Sequence, residues 1–461
     1  MRQDLFTLPP EDEGWFADRL AGLHQIIPLG KVRQVLLETD RVNQRACKLT
    51  HEATLRLVLA MALFTDRPIR QVFKYLHFAR CREETPCRSA LCHARQRLGV
   101  APLRRLFHEV VRPLATKNTP GAFYRRWRLM GIDGVVLNLP DRKVLDKTFG
   151  RTGSDRGRSA FAQLRKVSLV ELGTHVEVAF VAKPVHTGEQ VSVPALLKRI
   201  PADGLLLLDR GFYSYNLMKQ LISREIPVLC RVKNNLVLDS FENLSDGSYL
   251  ARIYPTSYHR KQGREGIVVR VIRYRLNDPQ RTGHNQEHVL VTTLLDAKEC
   301  PALELILLYH ERWEQELVND EQKTHHDPRR ATKPANLRSE TPAGVMQELY
   351  AMSVGHFVIR AMMFQAAEEA QIDPDRLSFT GCFQIITCRL PECHPAVTFT
   401  VEDWYASVLW EFRQELIEPR RHRTNPRVIK QKMSKWKKKQ PHQPTPPRLT
   451  KTFAQIVVML N

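Results

Sequence analysis

Tyr309, Arg312, Glu316 and Lys323 follow one another at intervals of three, four and seven residues within "YHERWEQELVNDEQK". On an α-helix, at about 100° per residue, those intervals keep all four side chains on one narrow face. Beside it runs an apolar flank of Ile306, Trp313 and Leu317 that reads as a docking stripe. A carboxylate at the edge of a core, with an Arg and a Lys on the same face, suits the handling of phosphate. A surface helix with incidental ion pairs has the same composition, so the remaining residues must decide.

Two further acids sit where acids are costly or useful. Asp133 lies inside the strand-like run "RLMGIDGVVLNL" (128–139), on the face of Leu129, Gly131 and Val135, and a lone carboxylate there needs a partner. Asp209 follows four leucines in "GLLLLDRGF" (204–212), at the carboxyl end of a strand, where α/β folds bind their ligands. Each alone is weak, since an Asp at a strand end is commonly a turn or cap residue. Together with Glu316 they are three acids from separate elements. Hydrolysis of a phosphodiester at neutral pH needs charge neutralisation, an activated water and a stabilised leaving oxygen, which two Mg²⁺ ions about 4 Å apart supply together. Hard cations take carboxylates rather than Cys or His, and metal-assisted phosphoryl transfer requires none of the seventeen histidines.

The elements that must position these acids follow in order. Residues 1–122 read as a basic helical, DNA-binding domain, with apolar residues at helical spacing and Arg between them. From 123 to 233 the pattern is a strand at 128–139, an antiparallel meander through "LRKVSLVEL" and "HVEVAFVAKP", a helix, the strand at 204–208, a helix and the strand "PVLCRVK". Three strands, helix, strand, helix, strand is the order of the ribonuclease-H-like α/β fold. Strand candidates between 234 and 303 read as a β-rich insertion, after which closing helices resume the core at 304–365, and 366–461 forms a helical carboxyl-terminal region with a basic tail. No internal repeat is visible.

The formal net charge is +21, from 70 Lys and Arg against 49 Asp and Glu. Like charges repel in a compact state, so a polyanionic partner is the simplest reason for it. From Pro419 to Asn461 there are twelve Lys and Arg and no acid, which fits phosphate contacts with counterion release; an anionic membrane surface or a solubilising role fits the same residues. The longest apolar run, "LRLVLAMALF" at 55–64, is too short to span a bilayer and reads as a buried helix. Early acids and prolines replace a signal peptide, and a cytoplasmic protein is expected. Nine cysteines, an odd number, point to reduced thiols. The spacing C-x(5)-C-x(4)-C-H recurs at 81–93 and 382–394, without the C-x-x-C pair of a zinc site.

The motifs "GIDGVVLNLPD", "FGRTGSDRGRSAF", "LLDRGFYS", Y-x(2)-R-x(3)-E-x(6)-K and "LRSETPAGVMQELY", in this order, resemble the bacterial DDE transposases of the insertion sequence four family over nearly the whole chain. The resemblance implies that Asp133, Asp209 and Glu316 are the catalytic ligands of two Mg²⁺ ions, with Mn²⁺ able to substitute. It implies that Tyr309, Arg312 and Lys323 contact double-stranded DNA at the transposon ends, and that a homodimer holds paired ends, with no membrane involved. Cleavage at terminal inverted repeats followed by strand transfer, through a hairpin in relatives, is the expected reaction, in a bacterial, nucleoid-associated protein. Arg210, beside Asp209, joins the DNA-contacting set. Arg151, Arg156 and Arg158 alternate with Gly150, Gly153 and Gly157, which lets backbone approach phosphates; a solvated loop has the same composition. No Trp lies between Trp127 and Trp313, so Tyr254 or Tyr258 is left to stack a flipped base. Asn319 and Gln322 are polar where such a helix is expected to dock through apolar residues. A catalytically silent DNA-binding derivative and a stand-alone nuclease on the same core are the alternative readings.

Overall fold

The computed structural model describes residues 20–43, 49–75, 85–154, 157–279, 284–326, 337–392, 400–419 and 451–460. Its centre is an eleven-stranded mixed sheet. Strands β1 (Trp127–Asn138), β2 (Gln163–Glu171) and β3 (Val176–Pro184) form an antiparallel meander. Strand β4 (Gly204–Leu208) lies parallel to β1 on its other side, and β5 (Val228–Val232) parallel to β4. The order β3-β2-β1-β4-β5 is the ribonuclease-H-like arrangement, and the chain has this mixed α/β fold. All five residues of β4 are buried, as its unbroken run of leucines requires of a parallel strand covered on both faces.

The insertion extends the same sheet. Strands β6 (Asp239–Asn243), β7 (Tyr249–Ile253), β8 (Ile267–Leu276) and β9 (Glu287–Thr292) continue it in the order β9-β8-β7-β6, attached through antiparallel β5–β9 pairing. Strand β6, "DSFEN", carries four exposed residues of five; it has no apolar alternation to announce it. At the other end of the chain, β10 (Val457–Met459) pairs with Tyr274–Leu276 of β8, and Phe453 and Ile456 are buried. Residues 457–459 therefore lie against the insertion, and most of the expected basic tail, 420–450, lies outside the described residues.

Helices Leu29–Glu38, His51–Leu63, Arg88–Leu98 and Ala101–Val110 pack with the 29-residue helix Pro342–Ala370 and share its hydrophobic core. Thr341 caps that long helix by accepting from the Gly344 amide, with Pro342 at the first position. Arg95 reaches from the amino-terminal helices to the Ser339 hydroxyl (2.9 Å), the Gln347 side chain (3.2 Å) and the Gly344 carbonyl (3.2 Å). Such shared burial makes the amino-terminal helices part of the structure that backs the sheet. No helix among the described residues is long and apolar enough to cross a membrane, and the described cysteines Cys87, Cys92, Cys230, Cys300, Cys382 and Cys388 are free thiols.

Candidate active site

Register brings the two aspartates together. In the parallel β1–β4 pair Ile132 lies opposite Leu208, so Asp133 and Asp209 are the next residues along on adjoining strands. The Asp209 carboxylate accepts from the backbone amide of Arg210 at 2.7 Å. Over this strand end runs the segment that carries Glu316, and it is not one uniform helix. An α-helix at Ala302–Tyr309 tightens to 3-10 at His310–Arg312, returns to α at Trp313–Asp320 and widens to π at Glu321–His325. The constant 100° step assumed from sequence therefore fails at both ends of the stripe, and π-turns of this kind accompany functional sites.

The four stripe residues separate into different roles. Tyr309 is buried, and its hydroxyl donates to the carbonyl of Leu208 at 3.1 Å; it secures the end of β4 just before Asp209. Arg312 is also buried and donates to Glu316 Oε1 at 3.2 Å. Burial by itself would lower the Arg312 guanidinium, but Tyr309, Asp209 and Glu316 around it raise it instead. It thus stands between two acids. Lys323 is half-buried within the π-turn. Asn319, whose polarity argued against docking, donates from Nδ2 to Asp133 Oδ2 at 3.1 Å: the helix docks through the acid itself.

Asp133 is the perturbed member of the set. Burial pushes its carboxyl up to about 6, with the charges of Glu189 and Glu316 adding to the rise, while the Gly134 amide and Arg312 oppose it. Glu189 was not singled out in the sequence. Its carboxyl group packs over Gly134, where a Cβ would meet Glu189 Cδ at 2.5 Å, and it is paired with Arg165. Gly131 likewise accommodates the fully buried Gln315, whose Oε1 would lie 2.9 Å from a Cβ there. Glycines inside a strand mark such close approach, and these two flank Asp133. Among the described residues, the group whose ligand atoms all lie within 4.8 Å of one another is His175, Glu314 and Asp375. Asp133, Asp209 and Glu316 do not form a group that close among the described residues.

The remaining candidates lie around this centre. Arg151 is engaged within its own loop, pairing with Asp141 and Asp146 and donating to the carbonyls of Ser159 and Ala160. Its guanidinium braces that loop. Arg158 is exposed on a two-stranded ribbon with Gly153 and Ser154; Arg156 lies outside the described residues. Arg210 is exposed and, with Arg231, Lys233, Asn234 and Asn235, lines a cleft of about 790 Å³ beside Asp209. Arg231 and Lys233 were missed because their strand reads only as "PVLCRVK". Tyr258 is 64% exposed at the start of a short helix, Ser257–Lys261, whereas Tyr254 packs against Gly266.

Known families match in the same order along the chain. The insertion element 4 transposase amino-terminal family model matches residues 17–108, and the transposase DDE domain model matches residues 128–341. Transposase InsG for insertion sequence element IS4 of Escherichia coli (strain K12) is 26% identical over 431 residues, 92% of this chain and 93% of that protein. The putative transposase InsZ of the same organism is 26% identical over 218 residues, 46% of this chain and 69% of InsZ. Among solved structures, the piggyBac transposase synaptic complex with hairpin DNA aligns over 85% of both chains at 11% identity and a TM-score of 0.40. With both family models matching in register with the amino-terminal helices and the acid-bearing sheet, the chain belongs to the insertion sequence four family of DDE transposases.

Proposed function

We propose that this transposase binds the terminal inverted repeats of its insertion sequence and cleaves and joins DNA strands there, with Asp133, Asp209 and Glu316 as its catalytic acids. The observation that carries the reading is the adjacency of Asp133 and Asp209 at the ends of two parallel strands beneath the helix of Glu316. DDE chemistry depends on divalent metal, and the residues fit: the donors are carboxylate oxygens, and a desolvated Asp133 gains from a cation next to it. The three carboxylates would hold Mg²⁺, in two sites, with Mn²⁺ as a substitute. Bound ions would polarise the phosphoryl group and supply a nucleophilic hydroxide at neutral pH.

The chain's own residues do the positioning. Tyr309 holds the strand end, Arg312 tethers Glu316 beside Asp209, and Asn319 orients Asp133. Arg312 Nε is buried without a protein acceptor among the described residues, which leaves a donor for a phosphate oxygen. Lys323, Arg158 and the cleft cations Arg210, Arg231 and Lys233 supply phosphate contacts on either side. Arg151 acts by bracing its loop. A homodimer pairing two ends is part of the proposal, as is a cut-and-paste course in which water opens the strand and the freed 3′-hydroxyl then attacks target DNA.

The test uses a linear duplex carrying the inverted repeats that flank the gene, incubated with the full chain and Mg²⁺. Repeat-dependent nicking followed by joining to a second duplex is expected. Binding without nicking identifies a silent derivative; nicking that ignores the repeats and joins nothing identifies a nuclease.

Removing residues 420–450 while keeping the β10 strand should lower the slope of log affinity against log salt by about 0.9 for each lost phosphate contact. An unchanged slope measured by fluorescence anisotropy would place the electrostatic contacts elsewhere on the chain.

A further inference from the structure

Behind the active-site helix lies a buried polar cluster that the reaction does not use. His175 stands at the turn between β2 and β3, fully buried, with φ of 59°. Its Nε2 is hydrogen-bonded with Glu314 Oε2 at 2.7 Å, and its Nδ1 lies 2.9 Å from Glu321 Oε1 and meets Arg360 Nη2 as well. Glu314 and Glu321 are on the helical segment of Glu316, one on each side of it and seven residues apart. Asp375 approaches the same Nε2 at 3.4 Å.

The long helix completes the cluster. His356 Nε2 meets Glu321 Oε2 at 2.9 Å, Arg360 Nε donates to the same oxygen at 3.0 Å, and Arg360 Nη2 donates to Glu321 Oε1. Burial favours a protonated Glu321, but Arg360 and His175 outweigh it and hold the carboxyl well below the usual carboxylate range. One residue on, Gln322 accepts from Lys166 Nζ at 2.7 Å and donates to Glu177 Oε2 at 3.2 Å. That ion pair is itself buried, with 1% exposure on each side.

A metal ion is a poor occupant for the tightly grouped His175, Glu314 and Asp375, because the Arg360 guanidinium, against His175 Nδ1, already supplies positive charge there. A mechanical role fits better. Buried ionic networks admit few alternative arrangements, since shifting a hydrogen-bonded member strands a desolvated charge. A helix anchored at 314 and again at 321 and 322 can neither rotate nor slide without breaking them.

We propose that His175 is a positioning residue for Glu316: by clasping Glu314 and Glu321 from the sheet, it fixes the rotation at which Glu316 faces Asp133 and Asp209. The inference rests on the reading of Glu316 as a catalytic acid. Apolar docking alone would hold the helix down, and the clasp adds its register.

The experiment compares His175→Asn, Glu314→Gln and Glu316→Ala in the full chain. Asn tolerates the left-handed backbone of position 175, so the variant removes the clasp without straining the turn; Glu314→Gln weakens it from the helix side and decides the matter if His175→Asn does not fold. Hydrogen exchange in metal-free protein should show raised deuterium uptake confined to 313–322 in both clasp variants. End-DNA affinity should stay within about twofold, and single-turnover cleavage at saturating DNA should fall about tenfold or more. Unchanged uptake over 313–322, unchanged cleavage, or loss of protection across the whole sheet overturns the proposal. Glu316→Ala keeps the clasp: if it still cleaves, the catalytic reading fails, while the exchange result for the other two variants stands independently.

Discussion

Alanine in place of Asp133, Asp209 or Glu316 is expected to lower metal-dependent strand cleavage by at least about a thousandfold, roughly 4 kcal/mol of transition-state stabilisation, while end-DNA affinity changes only a few-fold. The physical basis is that these carboxylates would hold the divalent cations that neutralise charge at the reacting phosphate, whereas affinity comes from cationic side chains elsewhere on a chain of net charge +21. Among the described neighbours of Asp133, Glu189 is already paired with Arg165 and Asn319 offers an amide, so neither is expected to take the place of a lost acid. Gel analysis of nicked end-DNA at fixed Mg²⁺ reads the effect. A variant that keeps substantial cleavage does not carry a catalytic acid at that position.

The second large effect is on stability, and its sign runs against the usual direction for an acid. Asp133 is raised from 3.8 to about 6 in the folded state, first by burial and then by Glu189 and Glu316. Between roughly pH 4 and 6 the folded chain binds a proton that the unfolded chain has released, so stability declines as pH rises through that window. At pH 7.5 without metal the ionised Asp133 is therefore a cost. Asp133→Asn keeps an acceptor for Asn319 and Gly134 without the charge and should stabilise the metal-free protein at pH 7.5 by up to about 2 kcal/mol, with little gain at pH 4. Mg²⁺ should raise the Tm of the wild-type chain more than that of the variant. Thermal melts at the two pH values, in EDTA and in Mg²⁺, check this; an Asn variant that melts below wild type at pH 7.5 in EDTA would show that the Asp133 charge is well compensated without metal.

Much of the fold was legible because its signals are local. The five buried residues of β4 announce a doubly covered parallel strand, and the strand–helix alternation from 123 to 233 announces the mixed sheet. Strand β6 escaped because its exposed residues lack alternation, and β10 because three residues carry too little pattern. The stripe of Tyr309, Arg312, Glu316 and Lys323 was found by assuming a uniform helix, yet the segment changes pitch three times, from α to 3-10, back to α and on to π. Its members also differ in role: a buried hydroxyl on a strand end, an arginine tethered to an acid, and a lysine in a π-turn. Periodicity reports which face a residue occupies, not how deep it lies or which backbone group it meets.

By itself the sequence determined the family, the order of the core elements and the positive charge, and it singled out the three acids proposed for catalysis, because strand and helix periods and residue chemistry are written along the chain. Only the tertiary structure decided that Asn319 docks on Asp133, that Glu189 closes over Gly134, and that His175 joins Glu314 to Glu321. Those partners are between 55 and 186 residues apart. The physical reason is that a buried polar group is specified by whatever satisfies it in space, and that partner comes from another part of the chain with no periodicity to disclose it.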